Sequence, residues 1–151
     1  MTTPRANAST LAPEAAAALA ALNTIAHATA VAAGLSPLVI ELVEIRASQI
    51  NGCSYCLRVH VRKALDAGET SDRLGVLPAW RETAYFNDVE RAALDLVESI
   101  TLIADGRVPD EVYARVSAVL TAQQIAAVVW LSVAINSYNR VIIASRIPVG
   151  P

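Results

Sequence analysis

The chain contains two cysteines, and both fall in one short segment, Cys53-Ser54-Tyr55-Cys56-Leu57-Arg58-Val59-His60. With no third cysteine there is no partner for a structural disulfide elsewhere, so the pair reads as a redox couple or as metal ligands before it reads as a staple. On a helix of about 3.6 residues per turn, Cys53, Cys56 and His60 share one face. Cα atoms three residues apart in a helical turn are separated by about 5 Å, inside the window of roughly 4.4–6.8 Å that a disulfide requires. A helix N-terminus favours thiolate over thiol, and such a setting is expected to bring a cysteine from a pKa near 8.5 into the range of about 3.5–7.5. His60, one turn beyond Cys56, is placed to exchange a proton with it. Which cysteine attacks stays open from the residues alone. The helix dipole favours Cys53; the nearness of His60 favours Cys56.

Glu41 is the fourth candidate. It interrupts the run Leu38-Val39-Ile40-Glu41-Leu42-Val43, beyond the first helical turn where an acid would be routine. A carboxylate among aliphatic side chains is costly to desolvate unless it has a partner or a task. The tight Asn51-Gly52 turn joins its segment to the cysteines, so the two faces can meet; the competing reading leaves Glu41 in solvent or against an arginine. Zinc held by Cys53, Cys56, His60 and Glu41 fits poorly, because a structural zinc site wraps four Cys or His ligands from a turn, whereas these lie along one straight helical face. Haem attachment needs His directly after the second cysteine, where this chain has Leu57. No cofactor and no metal are expected. His27, in an Ala-rich helix without a local partner, reads as a packing residue, and Trp80, Trp130 and Tyr138 read as core or interface. Arg140 is expected to cap a carbonyl or to pair with Glu44.

The elements that must hold these groups are all helical. Pro13-Glu14 opens an Ala-rich helix that ends near Gly34. Ser36 caps a second helix with Pro37 in its first position, ending at Asn51-Gly52. A third starts at Cys53 or Ser54 and runs to Ala67. Asn87 with Glu90, and Thr121 with Gln124, form capping boxes for two later helices, the first ending at Asp105-Gly106 and the second running through Ser145. Pro109-Asp110-Glu111 opens another, with its acids against the positive end of the dipole. Residues 69–86 are the least regular, reading as two short helical turns around Pro78. No segment alternates like a strand, and the prediction is one all-α domain spanning residues 1–151.

Bulk composition narrows the rest. Of 151 residues, 54% are hydrophobic and 17% charged, with a net charge of −2. That is more apolar than an average soluble domain, and part of the excess is read as subunit interface. Nucleic acid is excluded as a partner by the missing basic footprint. The uncharged stretches at residues 15–40 and 116–139 carry too many polar and helix-breaking interruptions to read as bilayer spans. The N-terminal residues lack a secretory signal, so the expected compartment is the cytoplasm, with no membrane partner.

Glu41, eleven residues, Cys53-x-x-Cys56, three residues, His60: this ordered set resembles the core motif of the AhpD-like alkylhydroperoxidases of the carboxymuconolactone decarboxylase superfamily. Glu44-Ile45-Arg46-Ala47-Ser48-Gln49-Ile50-Asn51-Gly52-Cys53, Ala79-Trp80-Arg81-Glu82 and Ile135-Asn136-Ser137-Tyr138-Asn139-Arg140 carry the same likeness. It covers roughly residues 37–147. The resemblance implies an all-helical AhpD-like fold assembled as a homo-oligomer, a trimer or hexamer first and a dimer next. It implies that Cys56 attacks a hydroperoxide, that Cys53 resolves the product to a disulfide, and that Glu41 and His60 relay protons. A dithiol reductant, such as a lipoyl carrier or a thioredoxin-like protein, would restore the thiols. One departure stands out: Tyr55 occupies the place between the cysteines where well-studied relatives carry a second histidine. Thiol–disulfide exchange without peroxidase activity, and a redox-sensing helical oligomer, are therefore kept as rivals. The decarboxylase branch lacks the cysteine pair, so decarboxylation is not expected.

Overall fold

Caps decide where the helices begin. In the computed structural model, which describes residues 3–150, a single turn, α1 (Ala8–Leu11), is capped by the Asn7 side chain. α2 (Pro13–Ala32) starts on proline as expected. α3 (Pro37–Asn51) is capped by Ser36, whose Oγ accepts from the Val39 N–H, and stops at Gly52. Gly52 has φ 71°, a left-handed conformation costly for any residue with a Cβ. α4 (Ser54–Asp66) follows at once, with Cys53 as its N-cap. Around Pro78 the chain forms α5 (Ser71–Val76) and a 3₁₀ segment, Leu77–Glu82. Both expected capping boxes are present, on α6 (Asp88–Thr101) and on α8 (Ala122–Ser145). Between them lies α7 (Asp110–Ser117), with Asp110 and Glu111 in its first turn. No strand occurs among the described residues.

One boundary and one added element differ from the sequence reading. α6 stops at Thr101, and the chain reaches Gly106 through turns. Leu102 and Ile103, which would have extended it, are 47% and 50% exposed, so no packing sustains further turns. α1, only four residues long, leaves no periodicity to detect.

α3 is the centre of the molecule. It packs against α4, α6 and α8, while α2 lies along α8. Val39, Ile40, Val43 and Ala47 face one apolar cluster with α2, α6 and α8. Leu42 and Ile45 face a second, built with Ala64, Leu77, Trp80, Phe86 and Leu94. A helix apolar nearly all round must be covered on all sides, and that explains why Glu41 and Glu44 are drawn inside. α2 and α8 are each long and apolar enough to cross a bilayer by length and composition. Half of the most apolar stretch of α8 is buried in the fold, against 11% for α2.

Candidate active site

The turn between α3 and α4 builds the thiol pair. Gly52 ends one helix, the Cys53 N–H returns to the Ser48 carbonyl at 3.0 Å, and Cys53 caps the next helix. Its sulfur accepts from the Cys56 N–H at 3.5 Å, where a serine or aspartate oxygen would ordinarily serve. Both cysteines are free thiols, 1% and 3% exposed, with their sulfurs 2.8 Å apart. The i, i+3 spacing therefore brings them together as expected.

Glu41 and His60 also meet. His60 Nδ1–H donates to Glu41 Oε2 at 2.8 Å, with both side chains buried, which dismisses the solvent-facing reading of Glu41. The sequence reading missed what lies next to them. Glu44, completely buried, presents Oε2 to His60 Nδ1 at 3.1 Å, and its Oε1 accepts from His27 Nε2–H at 2.9 Å. The His60 proton points at Glu41, so Glu44 Oε2 gains charge attraction rather than an aligned hydrogen bond. His27 is thus a partner of the buried carboxylate pair and not a packing residue. One helical turn separates Glu41 from Glu44, a spacing that was legible, but the reach of His27 from α2 was not. Arg140 leaves Glu44 alone and donates instead to the Asn136 carbonyl and side chain. Donor atoms of Glu41, Glu44 and His60 lie within 4.8 Å of one another. Neither sulfur belongs to the group; the His60 N–H donates to Glu41, and Glu44 stands beside that contact.

These contacts set the charges. Burial would raise the Glu44 carboxyl, but the His27 hydrogen bond and the nearness of the His60 N–H, with the charge of both rings, outweigh it and hold the group at about 2. Burial opposes charge on His60, yet Glu41 and Glu44 lift it to about 9. Burial, then the Cys53 sulfur, push the Cys56 thiol up to about 12, with Glu44 adding to the rise and the Asn139 amide opposing it. The expected neutral-pH thiolate is therefore not the resting state at Cys56. The helix N-terminus offers its Cys56 N–H to Cys53, and desolvation dominates at a sulfur so deeply enclosed.

A cavity of about 150 Å³ reaches the site, lined by Cys56, His60, Tyr55, Val59, Lys63, Tyr138, Ile135, Ile142 and Asn23. Cys53 does not line it, so a small molecule entering there meets Cys56 first. His60 uses Nδ1 on the carboxylates, which leaves Nε2 for the cavity side. Tyr138 is a wall of this cavity, a role the core-or-interface reading did not anticipate, and Trp130 is 49% exposed. A larger groove of about 610 Å³, lined by Leu96, Ile100, Ile103, Tyr113, Val129 and neighbours, holds neither cysteine.

Behind the thiols, α8 contributes polar side chains that hydrophobicity alone would not have placed there. Asn51 donates to Asn136 at 2.9 Å and to Asn139 at 2.8 Å, and the completely buried Asn139 donates to Ser48 at 3.1 Å. Buried amides must be bonded, and this network ties the end of α3 to α8. On the far side of α3, Glu98 gathers Arg46 at 2.6 Å, the Trp80 indole at 2.9 Å, and Arg81. The Ala79-Trp80-Arg81-Glu82 segment thus braces α3 against α6 and stands apart from the thiols.

Residues 13–99 match the family model of the carboxymuconolactone decarboxylase family. The chain belongs to that family. YdfG of Bacillus subtilis strain 168, an uncharacterised protein, is 45% identical to this family member over 104 residues, 69% of this chain and 71% of YdfG. YnjA of Escherichia coli K12, also uncharacterised, is 32% identical over 89 residues, 59% of this chain and 48% of YnjA, so the match spans about half of that relative. The fold matches a crystal structure from Agrobacterium tumefaciens with TM-score 0.88 and 31% identity, covering 98% of this chain and 100% of the other. That protein is of unknown function and has been proposed as the antioxidant defence protein AhpD. The family member described here is therefore a single all-helical domain of AhpD-like fold.

Proposed function

We propose that this protein is a thiol-dependent peroxidase with Cys56 as the attacking thiol, Cys53 as the resolving thiol, and Glu41 with His60 as the proton relay. The observation that carries this reading is the cavity that opens on Cys56 and His60 while the Cys53 sulfur waits 2.8 Å behind. Cys56 sulfur attacks the terminal oxygen of ROOH; an S–O bond forms, the O–O bond breaks, and His60 delivers a proton to the departing RO⁻. The thiol proton passes to the relay, so thiol and hydroperoxide give sulfenic acid and alcohol. Cys53 then displaces water from the sulfenic acid, forming the disulfide. A dithiol reductant of the lipoyl-carrier or thioredoxin class returns both thiols.

The same reading assigns the domain to residues 1–151 with its core at 37–147, the compartment to the cytoplasm, and the assembly to a trimer or hexamer, with a dimer as the smaller option. Exposed Ile25 and Val31 on α2 and the apolar groove between α6 and α8 support assembly. A second reading, thiol–disulfide exchange without peroxide turnover, is favoured by Tyr55, which puts a phenol rather than an imidazole beside Cys56 in the cavity. Hydroperoxide consumption with dihydrolipoamide, thioredoxin or glutathione as donor separates the two. Turnover with at least one donor is expected; disulfide reduction or formation in a partner, with no hydroperoxide consumed, would establish the exchange reading instead.

A further inference from the structure

Glu44 holds two histidines at once. His27 reaches it from α2, with Nε2 2.9 Å from Oε1, and His60 reaches it from α4, with Nδ1 3.1 Å from Oε2. The carboxylate is 1% exposed, the Glu41 and His60 side chains 10% each, and the His27 side chain 27%, so His27 is the most exposed member of the group. A buried carboxylate divides its attraction among the donors that surround it, and removing one leaves more for the others.

We propose that His27 is a positioning residue of the Cys56 site, which acts through Glu44 to set how tightly His60 holds its proton. The proposal rests on the peroxidase reading for its consequence in turnover, and on geometry alone for the coupling itself. With Glu44 held at about 2, the carboxylate is no resting place for a proton, so the coupling is electrostatic rather than a proton wire. With His27 in place, part of the Glu44 charge is spent on the His27 N–H, and His60 is released from its imidazolium form at a lower pH than it would otherwise be. The other groups that face His60 are Glu41 and Glu44 from α3, Cys56 on its own helix with Cys53 behind it, Lys63 at the cavity mouth, and Tyr138 from α8. His27 reaches it through Glu44.

The test is a histidine NMR titration of the reduced full chain, which needs no turnover. His27→Ala should raise the His60 midpoint by about half a unit to one unit, the lower end of what a neighbouring charge contributes. His27→Gln, whose amide can donate to the same oxygen, should restore it. The coupling must be reciprocal, so His60→Gln should raise the His27 midpoint. The pH profile of Cys56 oxidation by hydroperoxide should move with the His60 midpoint in His27→Ala. A folded His27→Ala protein with the wild-type His60 midpoint overturns the proposal. Should that variant fail to fold, an unmoved His27 midpoint in His60→Gln overturns it equally. Absence of hydroperoxide consumption by the wild type would sink the peroxidase reading and leave these titrations to decide the coupling.

Discussion

Glu41 Oε2 lies 2.8 Å from His60 Nδ1 although they are nineteen positions apart in the chain, because Gly52 folds α4 back against α3. The contact fixes which ring nitrogen is tied to the carboxylate and which is left for the cavity. Glu41→Gln and His60→Gln should therefore keep the fold by circular dichroism and slow Cys56 oxidation by roughly 10²–10⁴-fold, the usual worth of a positioned acid or base. Stopped-flow oxidation of the reduced protein measures it, and wild-type rates in both variants would remove these residues from the relay.

The cavity reaches Cys56 and stops short of Cys53. Cys56→Ser should abolish reaction with hydroperoxide. Cys53→Ser should consume one equivalent and halt as a sulfenic acid that a dimedone-type probe traps. In the wild type, stoichiometric hydroperoxide should give an intramolecular Cys53–Cys56 disulfide, seen by mass spectrometry after alkylation. The reverse pattern of the two serine variants would show that the N-cap position, not the cavity, selects the nucleophile.

Stability should depend on pH through Glu44 and His60. The His60 midpoint is raised to about 9 from 6.5, so its contribution is complete below 6.5 and lost as pH climbs through 9. The Glu44 midpoint is lowered to about 2 from 4.5, so its contribution is complete above 4.5 and lost as pH falls toward 2. Each shift corresponds to on the order of 3 kcal/mol, and since both include the same contact they are not added. Urea unfolding should show greatest stability between pH 4.5 and 6.5, with Glu44→Gln flattening the alkaline limb. A wild-type stability that rises from pH 7 to beyond 9 contradicts this account.

Tyr55 is 38% exposed and lines the cavity beside Cys56. A histidine there would have room and a route to the thiol without disturbing the core. Tyr55→His is expected to increase the rate of peroxide reduction at neutral pH, because imidazole titrates near neutrality and a phenol does not. If hydroperoxide turnover stays near background in both proteins while disulfide exchange is brisk, the exchange reading prevails.

Ile25 and Val31 on α2 are each 63% exposed, and Trp130 on α8 is 49% exposed. Covering such surface is the usual reason for it, so light scattering is expected to find a homo-oligomer at micromolar concentration. A particle of 15.9 kDa, the mass of one chain, would rule that out.

Sequence alone determined most of the helices and the closeness of the two thiols, because caps, glycine stops and the Cys53-x-x-Cys56 spacing act within a few residues of one another. Ser36, Gly52, Asn87 and Thr121 end or begin helices by hydrogen bonds and backbone angles that are complete within one turn. The nearness of Glu41 to His60 was half legible, through the short turn that joins their helices. Only the tertiary structure decided that His27 crosses from α2 to Glu44, that Asn139 comes from α8 to brace Ser48, and that Cys56 rather than Cys53 faces the cavity. It also reversed the expected charge on Cys56. Local dipoles argue for a thiolate, but how far a sulfur is removed from water depends on every helix packed around it, and α3 and α8 enclose this one too closely for the helix end to prevail.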